Sequence, residues 1–299
     1  MSSSGERAVT TSLQTGIALV LVLWVVALLA VIAGSFAFSG RTHVQMTGNR
    51  TAQARVQAMA DAGIHRGLYE LVRLQHGGLS WKPNGATHSF DLEEAQVAVT
   101  MINEAAYIDL NTVGEPLLKG LLLSAGLDDE SASRLLDAIV DWRDADEQPR
   151  AAGAERDQYL AAGLNYAPTN KPFTDVEELR LVLGMTPELF ARIAPALTVH
   201  SRQTGIDSTV SPKVVLLALP GATEEDVDAY IAQRADLLEH GQEPTPFPQA
   251  AGFAGTGGQV YNLHSTARMP DGNFVTRQAI VRLANEPERP FVFYRWRTG

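Results

Sequence analysis

Carboxylates crowd one short stretch of this chain: Asp141-Trp142-Arg143-Asp144-Ala145-Asp146-Glu147-Gln148-Pro149, followed by Gly153-Ala154-Glu155-Arg156-Asp157. Asp141 and Asp144 are i,i+3 neighbours at the end of a helical pattern and so share a face. Asp146 follows where Pro149 forbids the helix to continue, and Gly153 permits a turn that returns Glu155. Four carboxylates can then converge. Two such charges about 4 Å apart repel by about 4 kcal/mol at an effective dielectric of about 20, so convergence calls for a cation. With oxygen ligands only and neither His nor Cys nearby, calcium is the natural ion, its shell completed by carbonyls and water. The other reading is a solvated acidic face, because the loop lacks the EF-hand order of ligands. Spacing alone leaves both open. Trp142 reads as a core residue rather than a ligand-facing one.

Other chemistries find no support. The seven His residues show no HExxH spacing, and there is no GxSxG, P-loop or dinucleotide fingerprint. A carboxylate pair could serve a glycosidase, but any acidic surface supplies pairs. The net charge is −10. From Asp109 to Asp157 there are 12 acids and 5 bases, which gives −7 in that window alone. A nucleic-acid footprint would be basic, so partners of that class are not expected. There are no cysteines, which rules out disulfides and leaves the redox compartment open.

The elements that must carry the acidic run begin with Ile17–Phe38, which has no charged residue. An apolar run of about 18 residues or more spans a bilayer, whereas the apolar part of a secretory signal is shorter, so this is an anchor. Residues 1–16 form a short polar leader, and the Gly16-Ile17 junction looks like a processing site; the bland alternative is an uncleaved signal anchor. Counting bases, with Arg41, Arg50 and Arg55 after the span and Arg7 before it, would leave the large domain in the cytoplasm. So few charges are readily overridden in translocated domains.

Ala52, Val56, Met59, Ala60, Ile64, Leu68, Leu71 and Val72 recur at helical spacing, extending the helix to about His76, where Gly77-Gly78 ends it. Gly34, Gly48, Gly63 and Gly67 are potential bend points. Alternating Val97, Val99 and Met101 predict a strand, Tyr107–Leu110 a further extended piece, and Val260–Arg268, Phe274–Leu283 and Phe291–Arg297 a meander. Between them, Leu117–Ala125, Asp129–Trp142, Asp175–Leu183, Pro187–Ile193, Pro212–Leu219 and Glu224–Leu238 read as helices. The fold class is therefore α+β, a long N-terminal helix on an antiparallel sheet with a large inserted α-helical domain. The boundaries are 1–16 leader, 17–38 membrane part of the helix, 39–76 its continuation, 87–109 and 259–299 the β region, 110–240 the insert and 241–258 a return linker. Within the insert, Ile108–Val113 and Ile206–Val210 form a faint repeat, each opening a helix with Asx and Thr groups.

A Gly-terminated leader, Asp109-Leu110-Asn111, the run from Asp141 through Gly153-Ala154-Glu155 to Tyr159, Pro168-Thr169-Asn170, and Val176-Glu177-Glu178-Leu179 with Gly184-Met185 resemble general secretion pathway protein K, the large minor pseudopilin family of type II secretion systems. The resemblance covers nearly the whole chain. It implies a pilin-like fold and no enzymatic activity. It also implies calcium in the insert, with ligands drawn from Asp141, Asp144, Asp146 and Glu155 and with Asp157 as a further candidate. Prepilin peptidase would cut between Gly16 and Ile17, and the new amine would be methylated. The protein would be a single-pass inner-membrane protein, its C-terminal domain in the periplasm, at the pseudopilus tip with minor pseudopilins I, J and H, meeting exoprotein substrates. The fifth mature residue is Leu21, where pilins and most pseudopilins carry a glutamate that pairs with a neighbour's ammonium. A subunit with nothing stacked above it needs no such partner. The Asn-Thr helical units also look like helix-hairpin-helix elements of DNA-uptake proteins, a rival reading that the acidity opposes.

Overall fold

The computed structural model describes residues 15–78, 81–255, 257–286 and 288–298; the leader lies largely outside them. Helix α1, Thr15–Gln75, contains Gly16 and Ile17 in its first turn. Contacts divide the chain into two units, up to Arg55 and from Val56 onward. In the first unit, Leu19–Phe36 is long and apolar enough to cross a membrane and has none of its residues buried, Leu21 being 61% exposed. That segment fits a single-pass anchor.

In the second unit the same helix becomes amphipathic. Val56, Met59, Ala60, Ile64, Leu68 and Leu71 are buried against a five-stranded antiparallel sheet, as their spacing requires. Two of the four glycines expected to bend α1 prove to be contact points instead. A Cβ on Gly63 would collide with Ser265 Oγ and lie 2.8 Å from Val97 Cγ1, and one on Gly67 would lie 3.0 Å from Leu263 Cδ2. The helix passes through all four glycines unbroken.

The strands are β1 (Asn84–Leu92), β2 (Ala95–Asn103), β3 (Ile108–Asp109), β4 (Leu197–Thr198), β5 (Val260–Arg268), β6 (Phe274–Glu286) and β7 (Arg289–Thr298). The main sheet has the order β1-β2-β5-β6-β7, so β2 and β5 pair directly and the intervening chain leaves and re-enters between them. Short β3 and β4 pair in parallel inside the excursion, which is where the extended piece at Tyr107–Leu110 ends up. Strand β1 starts at Asn84, before the expected boundary at residue 87. It was unreadable because most of its side chains are exposed at the sheet edge, leaving no apolar alternation.

The insert packs α2 (Glu115–Ser124), α3 (Asp129–Arg143), α4 (Arg156–Ala161), α5 (Pro187–Ile193), α6 (Lys213–Leu216) and α7 (Glu224–Glu239) around their own apolar core. Asp128, Thr186 and Thr223 cap α3, α5 and α7 through backbone amides. Asp175–Leu183 is a 3-10 turn, Val176–Leu181, rather than an α-helix. The segment expected as a linker, 241–258, is tied in: Phe247 and Ala250 are buried in the insert core, and Ala254 bridges to Ile206. The insert core and the helix–sheet core are separate clusters among the described residues.

Candidate metal-binding loop

The end of α3 carries Asp141 into the interior, where it is 0% exposed. Its carboxylate accepts the Arg150 amide at 3.2–3.3 Å and the Ala154 amide. One turn earlier, Asp137 accepts the Ala152 amide at 3.1 Å and Arg150 Nε at 2.9 Å, while Arg150 Nη2 reaches Glu115 at 2.9 Å. These bonds fold the loop 144–155 back onto the helix that precedes it. Gly153 is needed for that closure by proximity rather than by conformation: a Cβ there would collide with Asp141 Oδ2 and sit 2.8 Å from its Cγ.

Asp144 is the C-cap of α3, in extended backbone, and Glu155 is the N-cap of α4, with its amide donating to Gln158 Oε1 at 3.0 Å. The loop between them therefore brings two helix ends together. Burial pushes Glu155 up to about 7, with Asp141, Asp144, Asp146 and Glu147 adding to the effect in that order. Asp144 and Asp141 are both raised, each mainly by burial. Asp146 is exposed; its Oδ1 accepts the Gln148 amide and its carbonyl accepts Asn170 Nδ2 at 2.6 Å. Asp157 lies exposed in the first turn of α4.

The third wall of the loop is 168–173. Asn111 holds it, donating from Nδ2 to the Phe173 carbonyl at 2.9 Å and accepting the Phe173 amide at 2.8 Å. Arg143 in turn bonds the Leu110 carbonyl, which joins the Asp109-Leu110-Asn111 segment to the end of α3. Asn170 has φ 50°, a conformation that asparagine tolerates better than most residues. Trp142, 1% exposed, stacks on Phe173 at 6.3 Å and lies 6.1 Å from Tyr159, so it is core, as its type suggests.

Three buried oxygens around this loop, Asp144 Oδ1, Glu155 Oε1 and Asn170 Oδ1, have no hydrogen-bond partner among the described residues. Buried acceptors are normally satisfied, and stranding one costs about 1–3 kcal/mol. A hard cation satisfies such a set, because it takes carboxylate and amide oxygens alike. Among the described residues, no group of three or more His, Cys, Asp or Glu side chains is drawn close enough to hold an ion as they stand. Asp141 accepts the loop amides instead, and Asp146 the Gln148 amide. The Asn170 side-chain oxygen is the unpartnered acceptor that counting carboxylates misses; its only sequence signal is its place in the Pro168-Thr169-Asn170 motif.

Residues 94–202 match the family model for type II secretion system protein K. The type II secretion system protein K of Klebsiella pneumoniae is 28% identical over 228 residues, 69% of this chain and 69% of that protein. That of Pseudomonas aeruginosa is 26% identical over 242 residues, 72% of each. The fold is similar to a chain in the crystal structure of the GspK-GspI-GspJ complex from enterotoxigenic Escherichia coli, with a TM-score of 0.61 and 19% identity, covering 85% of this chain and 99% of that one. The anchor-length helix and the antiparallel sheet interrupted by a helical insert agree with these similarities in sequence and fold, which together support a minor pseudopilin of the type II secretion system similar to protein K, a structural component of the secretion machinery rather than an enzyme.

Proposed function

We propose that this minor pseudopilin occupies the tip of the pseudopilus, where it starts or caps assembly with minor pseudopilins I, J and H and takes part in export across the outer membrane. The observation that carries this reading is Leu21 in a segment, Leu19–Phe36, that contains no ionisable side chain. A repeating subunit must neutralise its neighbour's buried N-terminal ammonium, since an unpaired charge in apolar surroundings costs several kcal/mol. A topmost subunit has no such neighbour. The similarity to a chain from a solved complex with GspI and GspJ supports I and J as partners. On this reading prepilin peptidase cuts between Gly16 and Ile17, the Ile17 amine is methylated, and the unit from Val56 onward faces the periplasm from a single-pass inner-membrane anchor. Absolute quantification by mass spectrometry of sheared pseudopili tests the assignment. One or few copies per pseudopilus fit; abundance comparable to the major pseudopilin sinks it.

Calcium is the ion proposed for the loop, held by Asp144, Glu155 and Asn170, with Asp141 and Asp146 as the remaining donors. Bound there, it supplies positive charge that satisfies the stranded oxygens and removes the mutual repulsion of the carboxylates. Asp141 keeps the loop closed through its amide bonds, and Asn111 fixes the segment that presents Asn170. The role is structural: the ion would lock α3, α4 and the 168–173 segment to one another. Isothermal titration of the chelated full chain with calcium checks it, and absence of binding in the wild type would remove the ion from the account.

A further inference from the structure

A cavity of about 390 Å³ lies at the seam between the sheet and the insert. The two apolar cores are separate clusters, and the seam between them is lined by polar side chains such as Asn262, Gln278 and Arg295 together with apolar ones such as Phe190 and Leu197. Glu104, 2% exposed, lines the cavity from the short 3-10 turn that carries the chain from β2 into the insert. Its carboxylate accepts the hydroxyl of Thr198, on β4 of the insert, and is also hydrogen-bonded by Asn262, on β5 of the sheet. One side chain therefore joins both bodies. Asn262 is held by Gln278 Nε2 on β6 at 3.0 Å, and Gln278 by Arg297 Nε on β7 at 2.6 Å.

Glu104 lacks a countercharge of its own. Arg295 on β7 is the cation acting on it, but that guanidinium is engaged by Asp175 and by Glu177 at 3.7 Å, both from the insert. Asp109, on the same connecting segment, opposes ionisation, as burial does. The other titratable groups lining the cavity are Tyr107, His200, His264 and Arg297. Burial raises the Tyr107 phenol to about 12, which keeps it neutral. Burial also lowers both imidazoles, helped by Arg295 at His200 and by Arg297 at His264.

We propose that Glu104 is a proton-operated latch between sheet and insert: protonated, it lets the seam close dry, and ionised, it draws water into the cavity and loosens the insert. The carboxyl is pushed from 4.5 up to about 6, chiefly by burial. Sign follows from linkage: between those values the closed state binds more protons than an opened, hydrated one, so closure weakens as pH rises. The difference corresponds to as much as about 30-fold in the opening equilibrium between acidic and mildly alkaline solution. The histidines act in the opposite sense, because charging them beside Arg295 and Arg297 in strongly acidic solution loosens the same seam.

Hydrogen–deuterium exchange of the full chain in detergent, with and without Glu104→Gln at matched pH from 5 to 8, tests this. The comparison at each pH cancels intrinsic exchange and the histidine contribution, which both chains share. The readout is the segment from Thr198 to Asp207, whose amides at His200 and Asp207 bond Thr198 Oγ1 at 3.1 Å and the Ala105 carbonyl at 2.7 Å. Relative to the variant, wild type should exchange about 4-fold faster at pH 5 and up to about 30-fold faster at pH 8. A ratio that does not change with pH overturns the proposal. If Glu104→Gln fails to fold by circular dichroism, Thr198→Val decides: losing a donor to the carboxylate must move the midpoint of wild-type loosening to higher pH. A midpoint that stays in place refutes the latch.

Discussion

Replacing Glu155 by Gln separates a metal loop from a solvated acidic face by the sign of its effect. In calcium-free protein the Glu155 carboxyl is pushed from 4.5 to about 7 by burial and four neighbouring carboxylates. A raised carboxyl means that the native state holds its proton more tightly than the unfolded chain. Stability is therefore fully present below pH 4.5, falls as pH rises, and is lost by about pH 7. The difference corresponds to about 3 kcal/mol at pH 8. Removing the charge in Glu155→Gln should recover most of that, raising the chelated melting temperature by several degrees, since about 1 kcal/mol moves a unit of this size by about 2–4 °C. Calcium should reverse the order. Wild type at about 100 times its dissociation constant gains about 2.7 kcal/mol, whereas the variant, lacking a charged ligand, gains little. Differential scanning fluorimetry of the full chain at pH 8, with chelator and with calcium, reads all four values. The reasoning is refuted if Glu155→Gln melts lower than wild type in chelator, or if it keeps the wild-type response to calcium.

Gly153→Ala should cost about 1–3 kcal/mol in chemical denaturation, because its methyl group displaces the Asp141 carboxylate and with it the Arg150 and Ala154 amide bonds. Gly63→Ala should cost a similar amount by forcing α1 away from Ser265 and Val97, while Gly48→Ala, with nothing within 4 Å, should be neutral or slightly stabilising. Asp61→Ala removes the carboxylate partner of Arg277, 7% exposed and bonded to Asp61 Oδ1 at 2.7 Å, which keeps its bond to the Thr298 hydroxyl; a loss of about 1–3 kcal/mol in urea unfolding is expected, less in Asp61→Asn. Intact-mass measurement from a host with a working prepilin peptidase should show a chain beginning at methylated Ile17; retention of residues 1–16 in assembled protein contradicts the processing reading.

The elements legible in the sequence are those with one buried face. Val97, Val99 and Met101 are all 0% exposed, and the Val56–Leu71 stripe faces the sheet, so period alone located both. Strand β1 and helix α4 were not legible: the first is mostly exposed, and the second has six residues, too few for a period. Asp175 does cap the segment read as a helix, with Glu178 returning to its amide, but it opens a 3-10 turn because caps mark where a helix starts and not how far it runs. In the loop, sequence supplied the carboxylates and could not supply their division of labour. Asp141 closes the loop on backbone amides, Gly153 serves closeness of approach, and Asn170 enters from a segment 26 residues beyond Asp144, held there by Asn111. The seam around Glu104 was invisible for the same reason, since Thr198 and Asn262 approach it from positions 94 and 158 residues away.

The absence of cysteine gives the tip assignment a direct test. A single substitution at exposed Glu188→Cys, on helix α5, provides a unique thiol for a gold label on assembled pseudopili. Electron microscopy should then show one gold particle, or very few, at the end of each pseudopilus distal to the inner membrane. Particles distributed along the shaft would contradict the account, and Leu21 would then need an explanation other than the lack of a subunit above it.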